Sequence, residues 1–157
     1  MYRHSQLFND EQEPRSVHLA MDLWVPQGTP VFSPLPGRVH SFQNNDHLGD
    51  YGPTIILEHE LQGLKFFTLY GHLSRVSLVN LKTSETIRSG QQIAKLGSQN
   101  ENGSWPPHLH FQIISDMMGK KGDFPGVASI SEKDYYLGIC PDPNLILRLP
   151  AFFRKQF

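Results

Sequence analysis

The stretch PHLHFQI, residues 107–113, alternates polar and apolar side chains at every step. Because successive side chains of a β-strand point to opposite faces, a strand here places His108, His110 and Gln112 on one face and apolar residues on the other. The apolar face predicts packing against a core. The two imidazoles, roughly 6.6 Å apart along the strand, are close enough to serve one small site.

Short apolar runs cut by proline and glycine continue on both sides of this stretch, and the 157 residues include 13 Gly and 12 Pro. Such frequent turn residues favour short strands over long helices. We therefore expect an all-β fold, with antiparallel sheets in a sandwich or partly open barrel (a barrel-sandwich hybrid) and little helix. A helical turn within 74–81 and a capped helix start at 131–134 are the only helix signals. The predicted strands are 17–24, 30–33, 37–43, 53–60, 64–72, 86–88, 92–97 and 108–115.

The chain length suits one domain. Residues 1–15 are polar and predict an N-terminal arm, residues 16–115 carry the strand pattern, and residues 116–157 are interpreted as a C-terminal extension of the same domain. The single cysteine, Cys140, cannot form an internal disulfide and is expected to be a small buried residue.

The charge balance excludes some classes of partner. Lys and Arg number 14 against 15 Asp and Glu, for a net charge of -1, so no broad positive field is available to hold nucleic acid. No apolar run approaches the ~20 residues of a membrane span, and the first residues lack the apolar core of a signal peptide. We expect no nucleic acid and no membrane insertion. The location is expected to be cytoplasmic if the chain is complete, or the cell envelope if it is an excised domain.

His18 and Asp22 lie four residues apart in the apolar run 17–24. Burying a bare carboxylate costs several kcal/mol, so Asp22 needs a partner, and a dication is a strong candidate. In a straight strand the two residues lie roughly 13 Å apart, so shared ligation predicts a bend near Leu19 and Ala20. The alternative is an Asp22 that is hydrogen-bonded at a strand end and unrelated to His18.

A third element is FFTLYGHL, residues 66–73, where alternation places His72 on a polar face and Gly71 allows a close approach or a bulge. Alone, His72 is typical of a half-exposed hydrogen-bonding residue. The three elements together supply the residues of a mononuclear hydrolytic zinc site. The other histidines are expected to be non-functional, beside turns, on exposed strand faces or in the arm: His4, His40, His47 and His59.

The chain resembles the lysostaphin-type (LytM-like) zinc metallopeptidases, which cut peptidoglycan peptides. The resemblance covers about residues 16–114, in the family's order. It is carried by HLAMDL at 18–23, GTPVFSPLPGRVHSF at 28–42, DYGPTIILEHE at 50–60, FFTLYGHLS at 66–74, IRSGQQIAKLG at 87–97 and PPHLHFQI at 106–113.

The resemblance implies one Zn²⁺ ion held by His18, Asp22 and His110, with His72 and His108 as unligated catalytic histidines. Three protein ligands leave a fourth position open, as expected of catalytic zinc. It also implies hydrolysis of peptidoglycan-type peptides, containing Gly or D-amino acids, by a zinc-activated water. Which of the two histidines takes the proton of that water and which stabilises the oxyanion is left open.

The chain departs from the family pattern in two places. Ala20 replaces the usual Gly between the first His and the Asp, and neither Tyr51 nor Tyr70 is a clear counterpart of the Tyr that some relatives place before the first ligand. Trp105 is expected on a groove wall, either stacking on substrate or anchoring its loop.

Two alternatives to a cell-wall peptidase stay open from the sequence. The tail after residue 116 resembles the variant found as one module within large intracellular fusion proteins, beside an aminotransferase module. One alternative is therefore a zinc hydrolase or binding domain acting on a small intracellular substrate. The other is a non-catalytic regulatory relative. The oligomeric state is also open.

Overall fold

A computed structural model describes residues 13–150. Within them the chain forms ten strands, a 3₁₀ helix at Arg75–Leu78 and two short α-helices. The strands are β1 Val17–His18, β2 Met21–Leu23, β3 Pro30–Phe32, β4 Gly37–Asn45, β5 Gly52–Leu61, β6 Leu64–Gly71, β7 Thr86–Ile87, β8 Gln92–Lys95, β9 Leu109–Ile114 and β10 Val127–Ala128, and the helices are α1 Lys133–Ile139 and α2 Asn144–Leu147.

One antiparallel sheet of six strands forms the frame, in the order β2-β9-β6-β5-β4-β7. Two smaller antiparallel ladders, β1-β10 and β3-β8, complete the β-structure of residues 13–150. The predicted all-β fold with antiparallel sheets and little helix is confirmed. The main sheet is not a closed barrel, because its edge strands β2 and β7 do not pair with each other.

Both faces of the main sheet are covered. On β5, Ile55 and Leu57 pack into one core while Ile56 packs into the other, as the two-residue period of a strand requires. The first core lies toward the β3-β8 ladder and takes in Phe111 of β9. The second core lies toward the tail and contains Cys140, whose predicted burial is confirmed.

Most strand predictions match the structure to within two residues at each end. The predicted strand 17–24 is divided at Leu19 and Ala20 into β1 and β2, which confirms the expected bend. The helical turn within 74–81 and the helix after residue 131 are also confirmed. The predicted side-chain cap is absent, because Glu132 occupies the cap position without a side-chain hydrogen bond to the helix.

Two secondary-structure elements after residue 116 were not predicted from the sequence. β10 has only two residues and exists because β1 pairs with it, so no local periodicity indicated it. α2 follows Asp142-Pro143, and its apolar run is too short to show a helical period. The predicted arm 1–15 lies outside the described residues except for 13–15.

His59 is not on an exposed strand face as expected, because only 1% of it is exposed. Its Nδ1 lies 2.8 Å from the Pro36 carbonyl oxygen, so this nitrogen carries the proton and donates. Its Nε2 lies 2.7 Å from Oγ1 of Thr68. The prediction was wrong because both faces of β5 are covered, which a single strand pattern does not reveal.

No helix within residues 13–150 has the length and apolar character needed to cross a membrane.

Candidate metal centre

Two neighbouring strands bring the distant sequence motifs together. β2 pairs antiparallel with β9, in a register that places Asp22 directly opposite His110. The chain turns at Leu19 and Ala20, so β1 leaves the main sheet and pairs with β10 instead. His18, at the end of β1, thereby returns to the same side as Asp22.

Ala20 occupies this bend without strain. It is not among the residues with positive φ, so alanine adopts the local backbone conformation as readily as glycine does. The departure from the family pattern therefore leaves the path of the chain intact.

The three predicted metal ligands form a triangle with nearly equal sides. His18 Nε2 lies 3.3 Å from Asp22 Oδ1, His110 Nδ1 lies 3.3 Å from the same oxygen, and the two ring nitrogens are 3.3 Å apart. Ligand atoms at ~2.0–2.1 Å from a tetrahedral zinc ion lie about 3.3–3.4 Å from one another. The donor set, two imidazoles and a carboxylate, and its spacing both fit a zinc ion.

Asp22 is an ionised carboxyl in a nearly closed environment, with 7% of its side chain exposed. Burial raises its pKa, but the His110 and His18 rings beside it outweigh burial and hold the pKa of Asp22 well below its usual range. The site therefore has a fixed negative charge that attracts a cation.

His72 and His108 lie beside this triangle, with ring centroids 4.2 Å apart. Nδ1 of His72 lies 2.9 Å from the Asn102 carbonyl oxygen, and Nδ1 of His108 lies 2.7 Å from the Pro106 carbonyl oxygen. A carbonyl only accepts, so each Nδ1 carries a proton and donates. In the neutral rings the Nε2 atoms are then free to accept a proton. His108 Nε2 lies 3.9 Å from Asp22 Oδ1.

His72 is held in an uncommon backbone conformation, with φ 60. Its N–H donates to the Tyr51 carbonyl at 2.8 Å, and its own carbonyl accepts from Gly97 N–H at 2.9 Å. A non-glycine residue in this region costs about 1–3 kcal/mol, and such strain concentrates at functional sites. Burial, and then the neighbouring rings of His108 and His110, lower the pKa of His72 to about 3, so this ring is neutral.

Three aromatic side chains surround the histidines. Trp24 stacks on His108 with ring centroids 4.5 Å apart, and Trp105 forms a T-shaped pair with His72 at 6.4 Å. Tyr51 contacts His72 and His110, and the ring of Tyr51 fills the space where Gly71 has no Cβ, as the predicted close approach requires.

Sequence reasoning did not identify Trp24, and it left Tyr51 and Tyr70 undecided. Tyr51 lies at the site, whereas Tyr70 is in the first core, 3.1 Å from the Thr68 hydroxyl. Trp24 adjoins the H-x-x-x-D motif, which was the available signal.

A cavity of about 290 Å³ opens over the cluster and reaches His18, His72 and His110. Its walls come from Trp105, from the loop around Leu48 and Asp50, and from Lys120 and the segment 123–127 of the tail. Its volume is near the lower end of small-ligand sites, about 300–1,000 Å³. The cavity is an open groove bordered by two of the three candidate ligands, His18 and His110.

Comparison with known proteins supports the resemblance noted in the sequence. Residues 16–123 match Peptidase family M23. An uncharacterized metalloprotease of Haemophilus influenzae is 38% identical over 96 residues, covering 61% of this chain and 18% of the relative. The peptidoglycan DD-endopeptidase ShyA of Vibrio cholerae is 28% identical over 120 residues, covering 74% of this chain and 25% of the relative. The chain thus spans about a quarter or less of the length of these curated relatives.

Solved structures share the fold. The catalytic domain of the antimicrobial peptidase lysostaphin from Staphylococcus simulans superposes with a TM-score of 0.53 at 25% identity, covering 79% of this chain and 85% of that domain. LytU superposes with a TM-score of 0.51 at 25% identity, covering 85% of this chain and 77% of that one. With a family match over most of its length, this chain belongs to Peptidase family M23.

Proposed function

We propose that this chain is a zinc-dependent endopeptidase that hydrolyses peptide bonds of peptidoglycan-type peptides. His18, Asp22 and His110 would hold the zinc ion, and His72 and His108 would be the catalytic residues. The observation that carries the proposal is the donor triangle with 3.3 Å sides, beside two histidines whose Nε2 atoms are free to accept protons.

A zinc ion, when bound, would act as a Lewis acid: it would polarise the scissile carbonyl and lower the pKa of a bound water, so that hydroxide is available near neutral pH. His72 and His108 then perform the proton chemistry. One Nε2 accepts a proton from the attacking water and passes it to the leaving amine, while the other ring, which takes a proton from solvent on its own Nε2, donates that hydrogen bond to the oxyanion. The hydrogen bonds to Asn102 and Pro106 hold both rings in the required tautomer.

The substrate class is inferred from relatives. ShyA is a peptidoglycan DD-endopeptidase, and lysostaphin is an antimicrobial peptidase. The open groove over the donor triangle suits an extended peptide, and the exposed face of Trp24 and the ring of Trp105 offer apolar surfaces for it. A peptidoglycan substrate would place the activity in the cell envelope.

The metal content of the purified protein tests the ligand set. We expect close to one zinc ion per chain by elemental analysis, and loss of zinc in His110→Ala. His40→Ala is the matched control, because His40 is a half-buried histidine on β4 away from the triangle. Full zinc content in His110→Ala would show that the ligand set is wrong.

Hydrolysis tests the reaction. Peptidoglycan fragments, glycine-rich peptides and D-alanine-containing peptides are incubated with the protein, with and without a chelator. We expect new amino groups only without chelator, and recovery after zinc is restored. A zinc-loaded protein that leaves all of these substrates uncut would contradict the proposed substrate class.

A further inference from the structure

Gln112 is a fully buried polar residue in the middle of β9, two residues after His110 on the same face. Its Oε1 lies 3.1 Å from His110 Nε2. Its Nε2 lies 3.1 Å from the Pro125 carbonyl oxygen and 3.2 Å from Sγ of Cys140. The side chain therefore connects the candidate metal centre to two points in the tail.

These contacts determine the orientation of the amide. The Pro125 carbonyl only accepts hydrogen bonds, so the amide nitrogen of Gln112 must face it. The amide oxygen must then face His110, and an oxygen acceptor there requires a proton on His110 Nε2. In a neutral ring the lone pair is left on Nδ1, the atom that lies 3.3 Å from both His18 Nε2 and Asp22 Oδ1.

We propose that Gln112 is a positioning residue that holds His110 in the tautomer and ring orientation needed for metal binding, and that the tail after residue 123 holds Gln112. The proposal rests on the proposed function, in that His110 is taken as a ligand. A hydrogen bond to the distal nitrogen of a ligating histidine typically contributes about 10–100-fold to metal affinity or activity.

The tail is well placed for this role. Cys140 N–H donates to the Tyr136 carbonyl at the end of α1, and Ser115 N–H, just after β9, donates to the Ile139 carbonyl at 2.8 Å. The end of α1 is thereby fastened beside β9, with Cys140 in the second core. Pro125 and Cys140 both lie beyond the family match at residues 16–123, so this chain supports a ligand with residues outside it.

Zinc affinity, measured by competition with a chromophoric chelator, tests the proposal. Gln112→Met keeps the length but removes the acceptor, and we expect its affinity to fall about 10–100-fold. Gln112→Glu still presents an oxygen to His110 and, in its protonated form, can donate to the Pro125 carbonyl, so it is expected to recover most of that loss. Thr68→Val is the matched control, because Thr68 is a buried polar residue on β6 opposite Ile113. Its affinity should equal that of the wild type.

A second readout reports the tautomer itself. In the zinc-loaded wild type, the His110 Nε2 proton should give a nuclear magnetic resonance signal protected from exchange with water. This protection should be lost in Gln112→Met and kept in Thr68→Val. If Gln112 had a merely structural role, the exchange protection of the His110 Nε2 proton would be the same in Gln112→Met and Thr68→Val.

The outcomes distinguish a failure of the proposed function from a failure of the proposed role of Gln112. A wild-type protein that binds no zinc contradicts the proposed function itself. Tight zinc binding by the wild type and equally tight binding by Gln112→Met overturns the role of Gln112 alone. Should Gln112→Met fail to fold, Cys140→Ala, compared with Cys140→Ser, removes one of the two acceptors that hold the amide. Zinc binding that is weakened in Cys140→Ala but not in Cys140→Ser supports the proposal. Equal zinc binding by the two variants contradicts it.

Discussion

At the scale of single residues, the proposed roles of the site histidines differ according to which ring nitrogen each one uses for a hydrogen bond to the protein. His72 and His108 use Nδ1 to bind backbone carbonyls and keep Nε2 for the site. His110 does the reverse, binding Gln112 through Nε2 and turning Nδ1 toward Asp22. In the proposed function, the same type of side chain thus acts as a proton acceptor or as a metal ligand, according to which ring nitrogen its hydrogen bond to the protein occupies.

Replacing a proposed catalytic histidine should lower the activity without lowering the zinc content. His72→Asn suits the positive φ at this position, because asparagine tolerates the left-handed region. We expect the rate of peptide hydrolysis to fall about 10²–10⁴-fold, the usual cost of losing a general base or an oxyanion donor. Zinc content by elemental analysis should be unchanged. Loss of zinc in this variant would make His72 a ligand.

The buried His59 should make stability depend on pH. Burial lowers its pKa from 6.5, so below that pH the unfolded chain binds a proton that the folded chain resists. The free energy of unfolding should therefore fall as the pH falls below 6.5, by at most about 1.4 kcal/mol per pH unit. Urea unfolding of wild type and His59→Gln between pH 8 and 5 measures this. The advantage of the wild type should shrink toward low pH, and a constant difference would contradict the assignment.

At the scale of elements, the site depends on how strands are joined and paired. The bend at Leu19 and Ala20 returns His18 to Asp22, and the β2-β9 register sets Asp22 opposite His110. A slip of one residue in that register would turn Asp22 to the other face of the sheet. The short β1-β10 ladder also matters, because it holds the tail segment that forms one wall of the cavity.

The space around Gly126, in the tail segment beside the site, is too small for a side chain. A Cβ there would meet the Tyr51 ring and His110 Cε1, the latter at 3.0 Å. We expect Gly126→Ala to lower the free energy of unfolding by about 1–3 kcal/mol, since overpacking shifts the neighbours. Peptide hydrolysis should fall as well, because those neighbours are at the site. Urea unfolding and the hydrolysis assay measure the two effects.

Gly138, on α1, is the matched control. A Cβ at this position would meet nothing within 4 Å, and φ is not positive. Gly138→Ala should therefore raise the free energy of unfolding by about 0.4–1 kcal/mol, chiefly by restricting the unfolded chain. Equal effects of the two substitutions would contradict the close packing at Gly126.

At the scale of the whole molecule, metal binding and folding should be linked. His18, Asp22 and His110 come from β1, β2 and β9, so the triangle exists only when the sheet and the β1-β10 ladder are formed. A ligand that binds only the folded state stabilises it, by about 2.7 kcal/mol at a free concentration of 100 times Kd.

Chelation should therefore lower the melting temperature. For a chain of about this size, losing the stabilisation of about 2.7 kcal/mol should lower the melting temperature by roughly 5–10 °C. Thermal unfolding followed by circular dichroism, with and without chelator, measures the shift. His110→Ala should melt at the same temperature in both conditions, since it lacks the ligand. An equal shift in wild type and variant would mean that the chelator acts elsewhere.

The sequence by itself determined the local features. Period-two alternation in 107–113 and its neighbours predicted the strands, because the two faces of a strand alternate whatever it packs against. Shared ligation by His18 and Asp22, at their spacing of four residues, predicted the bend between them. The proposed ligands and catalytic histidines were named from motifs and resemblance, and the assignment of their roles remains a prediction.

Only the tertiary structure decided which residues meet across long separations. Burial of His59 depends on what covers the far face of β5. The partners of Gln112 lie 13 and 28 residues further along the chain, in a tail without periodicity. Such contacts follow from strand register and from the packing of the tail against the sheet. No local pattern encodes them, because local periodicity specifies the face of a strand and not the segment that comes to rest on it.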